Sequence, residues 1–338
     1  MGVVGMMQLL TIARNTFVES IRQPIYVVLL LFASGLLVLN TSLAAYTLDN
    51  DNKIMVDMGL STLFLAGLLL AAFTATGVLS AEVESRTVLT VVSKPVARPL
   101  FVLGKFVGVG TALALAYWAL MLIFLLTVRH QVMQRASDPY DLPVILFGVL
   151  AGAAALLGAT LVNYLYHRVF ASAFVLSYAA LLTVAYLLVL MIGRDWRFQA
   201  VHTDLNIQLL TVLLLVFEAV LILTAVAIAC STRLGQVMTL VVCTLVFLMG
   251  LVSHYFSGQT DRTFADMEQT IVHQVMYWLL KSFFFLLPNL QYLWQADALS
   301  QGRPISLEHV LLLSGYSIFY IGAILAAAVA LFQTREVG

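Results

Sequence analysis

Glu218 is the one acid set inside an apolar stretch, LLLVFEAVLILTAVAIAC. Desolvating an ionisable side chain is costly, so such a residue is a functional candidate by default. Three roles fit it: a place on a substrate path or gate, a proton-coupling group, or a polar packing contact to a hydroxyl or amide on a neighbouring helix. No second intramembrane acid accompanies it, which weighs against a proton relay. Other reactive types are dispersed. His130, His167, His202, His254, His273 and His309 fall on separate loops and span ends, and Cys230 and Cys243 lie in or beside apolar runs. Neither pattern has the spacing of a metal site or a disulfide framework. Gly104-Lys105 is followed by Phe106 and lacks the upstream glycine of a phosphate-binding loop. No HExxH or Gly-x-Ser-x-Gly occurs. The sequence therefore predicts no enzyme, no metal and no bound cofactor.

The most distinctive polar stretch is 81–105, AEVESRTVLTVVSKPVARPLFVLGK. It carries Arg86, Lys94, Arg98 and Lys105 around a short apolar run, Val88 to Val92, closed by Pro95. Apolar side chains rimmed by charge are what a docking segment needs. Glu84, Arg86, Val88, Leu89, Val91 and Val92 are the candidate contact residues.

These residues must be held by membrane-spanning elements. The chain has 338 residues, 62% hydrophobic and 10% charged, with a mean hydropathy of +1.00. Soluble domains carry roughly 25% charged residues, and apolar runs of about 18 or more mark spans. The fold class expected is all-α: a polytopic integral membrane protein forming a single transmembrane domain over 1–338. Spans are predicted near 25–45, 58–80, 105–128, 143–165, 169–192, 207–230, 235–255 and 306–332, about eight transmembrane helices, with six as the alternative. The 256–305 segment is expected as an outer loop. Within it, 271–292 contains Lys281 and Pro288 and is flanked by Tyr277, Trp278, Tyr292 and Trp294. It reads as a re-entrant or interfacial helix anchored by those aromatics. No cleavable signal peptide is expected, because a polar segment precedes the first apolar run.

Segment 6–23 has Met6, Leu9, Leu10, Ala13, Phe17 and Ile21 on one helical face, and Gln8, Thr11, Asn15, Glu19 and Arg22 on the other. That pattern predicts an amphipathic interfacial helix, with Pro24 opening the first span. Basic residues in short loops set orientation, and the four in 81–105 place that loop and both termini in the cytoplasm. Arg168, after Asn163 and Tyr166-His167, and Arg233 in CSTRLGQ read as basic anchors of inner turns. Glu218 stands 15 residues from Arg233, about 22 Å at 1.5 Å per residue, which puts it in the outer half of the bilayer. The net charge of zero gives no reason to expect nucleic acid as a partner.

The entry helix ending ARNTFVESIRQP resembles the start of ABC-2 type permeases, as does the loop AEVESRTVLTVVSKPVARPLFVLGKFVG between the second and third spans. FFFLLPNLQYL and LFQTREVG are similar to the last part of that family's copper-processing and gliding-type subgroup. The resemblance implies a permease subunit in a plasma (inner) membrane, as an exporter component. A separate cytoplasmic ABC ATPase would bind ATP, and the 84–92 stretch would be the coupling helix that docks on it. A second permease chain, identical or paralogous, would complete the complex within the lipid bilayer. The family usually has six spans, and the pair 143–165 and 169–192 looks like an inserted hairpin. An ion-coupled secondary transporter or a membrane assembly scaffold is the alternative function.

Overall fold

The computed structural model describes residues 3–44, 51–84, 97–133, 138–265 and 270–333. Among these, eight helices are long and apolar enough to cross a membrane. The chain is an all-α polytopic membrane protein. In hydrocarbon each backbone N–H and C=O must be bonded internally, and an apolar helix does this within one segment.

Helix α1 (Val3–Arg22) precedes the spans. They are α2 (Pro24–Ala44), α3 (Asp51–Glu84), α4 (Arg98–His130), α5 (Leu142–Tyr166), α6 (Phe170–Met191), α7 (Ile207–Ser231) and α8 (Gln236–Ala265), with the last described below. Helix α9 (Ile271–Leu286) then descends antiparallel to the end of α8, since Phe264 meets Tyr277, Asp261 meets Lys281 and Phe256 meets Phe284. After Pro288 the chain bends by 52° and returns through a turn at Leu290–Tyr292 and the short α10 (Ala296–Ser300). Helix α11 (Leu307–Gln333) is the eighth span. The bent pair occupies the segment expected at 271–292 as a re-entrant or interfacial helix, and its turn is packed into the protein: Leu290 and Leu293 are fully buried.

The centre of the bundle is formed by α3, α4 and α7, while α5, α8 and α11 are mostly uncovered. Uncovered apolar side chains are ordinary in a helix facing lipid tails. Phenols inside the bundle bond to main-chain carbonyls of other helices. Tyr26 donates to Ala112 O at 2.5 Å and Tyr117 to Leu213 O at 2.7 Å. Buried hydroxyls turn back on their own helix, as Ser34 does to Leu30 O and Thr224 to Val220 O.

Several elements differ from the sequence expectation. Helix α3 begins at Asp51 rather than near 58, and α8 continues to Ala265 rather than ending near 255. Polar residues extend both helices beyond the apolar runs by which the spans were bounded. Residues 81–84 and 98–105 are helical, so the predicted loop is shorter than 81–105. Lys105 lies in α4 and is almost fully buried, its ammonium 5.5 Å from the Phe101 ring centroid. Helix α1 packs on α4 through Ile12, Ala13 and Thr16, while Met6 and Leu10 of the expected apolar stripe stay exposed. Trp294 is not an interface anchor; it stacks on Phe64 with centroids 6.0 Å apart.

The α1–α4 contact depends on two glycines one turn apart. A Cβ at Gly104 would lie 2.8 Å from Ile12 Cγ2, and one at Gly108 would lie 2.6 Å from Ala13 O. This is the small-residue spacing that lets membrane helices approach closely.

One end of the bundle is closed by an ion-pair network. Arg129, ending α4, reaches Asp141 Oδ2 at 3.2 Å and Asp204 Oδ2 at 3.4 Å, and Arg194 reaches Asp141 Oδ2 at 3.4 Å. The Asp141 side chain is fully buried, and its Oδ1 caps α5 by accepting from Val144 N. Removing one partner of a buried pair strands the other charge, which costs about 3–5 kcal/mol. Arg129→Met leaves Asp141 only its longer contact to Arg194, and is therefore expected to lower stability by somewhat less than that amount. Adding Asp141→Asn to Arg129→Met should recover part of the loss. Thermal unfolding in detergent measures both.

Candidate functional site

The predicted docking residues bracket the boundary of what the structure describes. Glu84 is the last residue of α3. Arg86, Val88, Leu89, Val91 and Val92 lie outside the described residues. The start of α4, which follows them in sequence, is described, and it is tightly built. Arg98 opens α4 and donates through Nη1 to Gln333 O at 2.5 Å, at the end of α11. Phe101 stacks on Phe332 with centroids 5.4 Å apart. Arg233, after α7, donates to Leu331 O through Nε at 3.2 Å and Nη2 at 2.9 Å. The start of α4 is thus joined to α1 by the two glycines, to the end of α11 by Arg98 and Phe101, and through α11 to α7. The sequence read Arg98 as a charge of the 81–105 segment and Arg233 as an inner-turn anchor, and both also make helix-end contacts.

Glu218 lies between α7 and α11. Ser314 donates through Oγ to Glu218 Oε1 at 2.6 Å, while Oε2 is buried without a hydrogen-bond partner. Of the sequence alternatives, the geometry realises the hydroxyl contact to a neighbouring helix. The next residue, Phe217, packs on Tyr117 with centroids 5.0 Å apart.

A groove that sequence reasoning missed runs between α8, the end of α9 and α11. Its volume is about 820 Å³, and its walls include His254, Lys281, Asn289, Tyr292, Tyr316 and Ala327. That volume falls in the range of ligand pockets, roughly 300–1,000 Å³. Tyr316 and Ser314 are two residues apart on α11, about 200° around the helix, so Glu218 sits across α11 from the groove. The re-entrant turn forms the groove floor. Tyr316 OH accepts from Asn289 N at 2.8 Å, and Tyr320 OH donates to Leu286 O. The turn can come so close because α8 has Gly250 there: a Cβ would lie 2.7 Å from Pro288 O. Lys281 binds both oxygens of Asp261, at 2.8 and 2.7 Å. The sequence did offer a signal, since Lys281 and Pro288 interrupt an otherwise apolar stretch.

Among the described residues no group of three or more His, Cys, Asp or Glu side chains could hold a metal ion, and Cys230 and Cys243 are free thiols. The chain matches no protein-family model and no curated protein.

Glu218 and Ser314 share a single bond, so their substitutions should not add. Glu218→Leu and Ser314→Ala are each expected to cost about 0.6 kcal/mol, the average for polar contacts between membrane helices. The double variant should cost no more than the larger single one. A double-mutant cycle on unfolding midpoints in detergent measures the coupling.

Proposed function

We propose that this chain is the membrane permease of an ABC-2 type transporter, an exporter driven by a separate cytoplasmic ATPase that docks on the 81–105 segment. In this reading the ATPase binds ATP, and the permease moves cargo without catalysing a reaction. The reading is supported above all by the position of that segment. It joins α3 to α4, and the first turns of α4 are gripped by α1 and tied to α11. A displacement there would reach three packed helices at once, which is what a rigid mechanical input requires.

The basic residues of 81–105 orient this face toward the cytoplasm. Helix α1 and the end of α11 then share that side, and the Arg129–Asp141 network faces outward in a plasma (inner) membrane. A second permease chain, as homodimer or paralogous heterodimer, completes the complex. An ion-coupled secondary transporter is the runner-up. The observation favouring it is the unpartnered Glu218 Oε2.

Apolar contacts in a docking groove supply affinity, while charges at the rim set register. Leu89→Asp is therefore expected to abolish stimulation of the co-purified ATPase while membrane insertion is unchanged. Normal stimulated hydrolysis would show that the ATPase docks elsewhere. Single cysteines introduced as Ser93→Cys and Gln259→Cys should react with an impermeant maleimide from opposite sides of the membrane. Reaction from the same side reverses the orientation.

A further inference from the structure

The groove between α8, α9 and α11 changes character along its length. At one end are Lys281, His254 and Ser257; at the other are Ala323, Ile324 and Ala327 of α11. Ser257 is 21 residues past Gln236, the start of α8, about 31 Å at 1.5 Å per residue. The hydrocarbon core is about 30 Å thick, so the polar end sits at its outer boundary. The apolar end lies within the core: Ala327 is six residues before Gln333, the end of α11, about 9 Å from the opposite boundary. Helices α8 and α11 are mostly uncovered, so the groove opens sideways into the bilayer.

The charges at the polar end are balanced. Lys281 is bound by Asp261, and both side chains are partly exposed, at 35% and 47%. A head group carrying both a phosphate and an ammonium can meet both members of this pair. A head group with only a phosphate gains Lys281 but sets its charge against Asp261.

We propose that this groove binds a zwitterionic phospholipid of the surrounding bilayer. Its head group lies at the Lys281–Asp261 pair, and one acyl chain runs along Ala323, Ile324 and Ala327. Asn289 lines the floor below the head-group end, and its Oδ1 is buried without a hydrogen-bond partner in the protein. The site needs no ATPase and can be measured on the purified chain alone. Its failure would leave the coupling proposal standing, and failure of Leu89→Asp to uncouple would leave the lipid site standing.

The test is native mass spectrometry of the purified protein in detergent, supplied with equal phosphatidylethanolamine and phosphatidylglycerol. Retained phosphatidylethanolamine should exceed phosphatidylglycerol by about fivefold, the size of effect one partly exposed ion pair gives. Ala323→Trp and the milder Ala327→Leu, which fill the apolar end, should reduce retention while the unfolding midpoint holds. Asp261→Asn should remove the preference between the two lipids, since the ammonium then has no carboxylate to meet. Equal retention of the two lipids by the unmodified protein overturns the assignment, with no variant needed. So does undiminished retention by both filled variants. If the filled variants turn a dimer into a monomer with lipid retention unchanged, the groove seats a second copy and the lipid assignment falls.

Discussion

The structure depends on how helix ends are satisfied at the two faces of the bundle. A helix bonds its own interior but leaves its last carbonyls without partners, and the macrodipole makes that end attractive to cations. Here four arginines serve ends of helices other than their own. Arg98 and Arg233 donate to the last turn of α11. Arg129 donates to Ile192 O, just after α6, and Arg194 to Arg129 O, at the end of α4. Each bond joins segments distant in sequence. Together they hold both ends of the bundle in register, which lipid-facing apolar contacts alone do not specify.

Between those ends, packing is uneven in a way that suits a transporter. Helices α3, α4 and α7 form a dense centre, with glycines and alanines letting backbones approach. Helices α8, α9 and α11 meet more loosely and leave the groove between them. The re-entrant turn is the exception in that region. Leu290, Leu293 and Trp294 fix it against α8 and α3. The groove therefore has a rigid floor and open sides.

Most of the spans were legible in the sequence because lipid imposes a one-dimensional rule: an apolar run of sufficient length becomes a helix. The predicted limits of α5 and α6 lie within one residue of those observed. The rule fails where a helix outlasts its apolar run, as α8 does through Gln259, Asp261 and Arg262. It is silent on pairing. Arg129, Asp141, Arg194 and Asp204 could be counted as charges of one membrane face, but the convergence of both arginines on the buried Asp141 carboxylate, with Asp204 against Arg129, is a tertiary fact. Gly104 was weighed only against a phosphate-loop pattern, and Gly108 carried no signal of its own. Their role appears only when α1 lies across them. Lys105 was grouped with loop cations because charge suggests solvent, yet its long stem is enclosed beside Phe101.

The clasp between α1 and α4 also bears on how the protein is made. Helix α1 is synthesised before α4, yet the surface that receives Ile12, Ala13 and Thr16 is near residue 108, on the third span. Until α4 has entered the membrane, the N-terminal helix has no groove to occupy and must wait at the bilayer surface, where its exposed Met6, Met7 and Leu10 can rest among lipid chains. Its apolar side is thus suited to two successive settings, lipid during biogenesis and protein plus lipid afterwards. The order of insertion, rather than the order of synthesis, decides when the first helix acquires its final place.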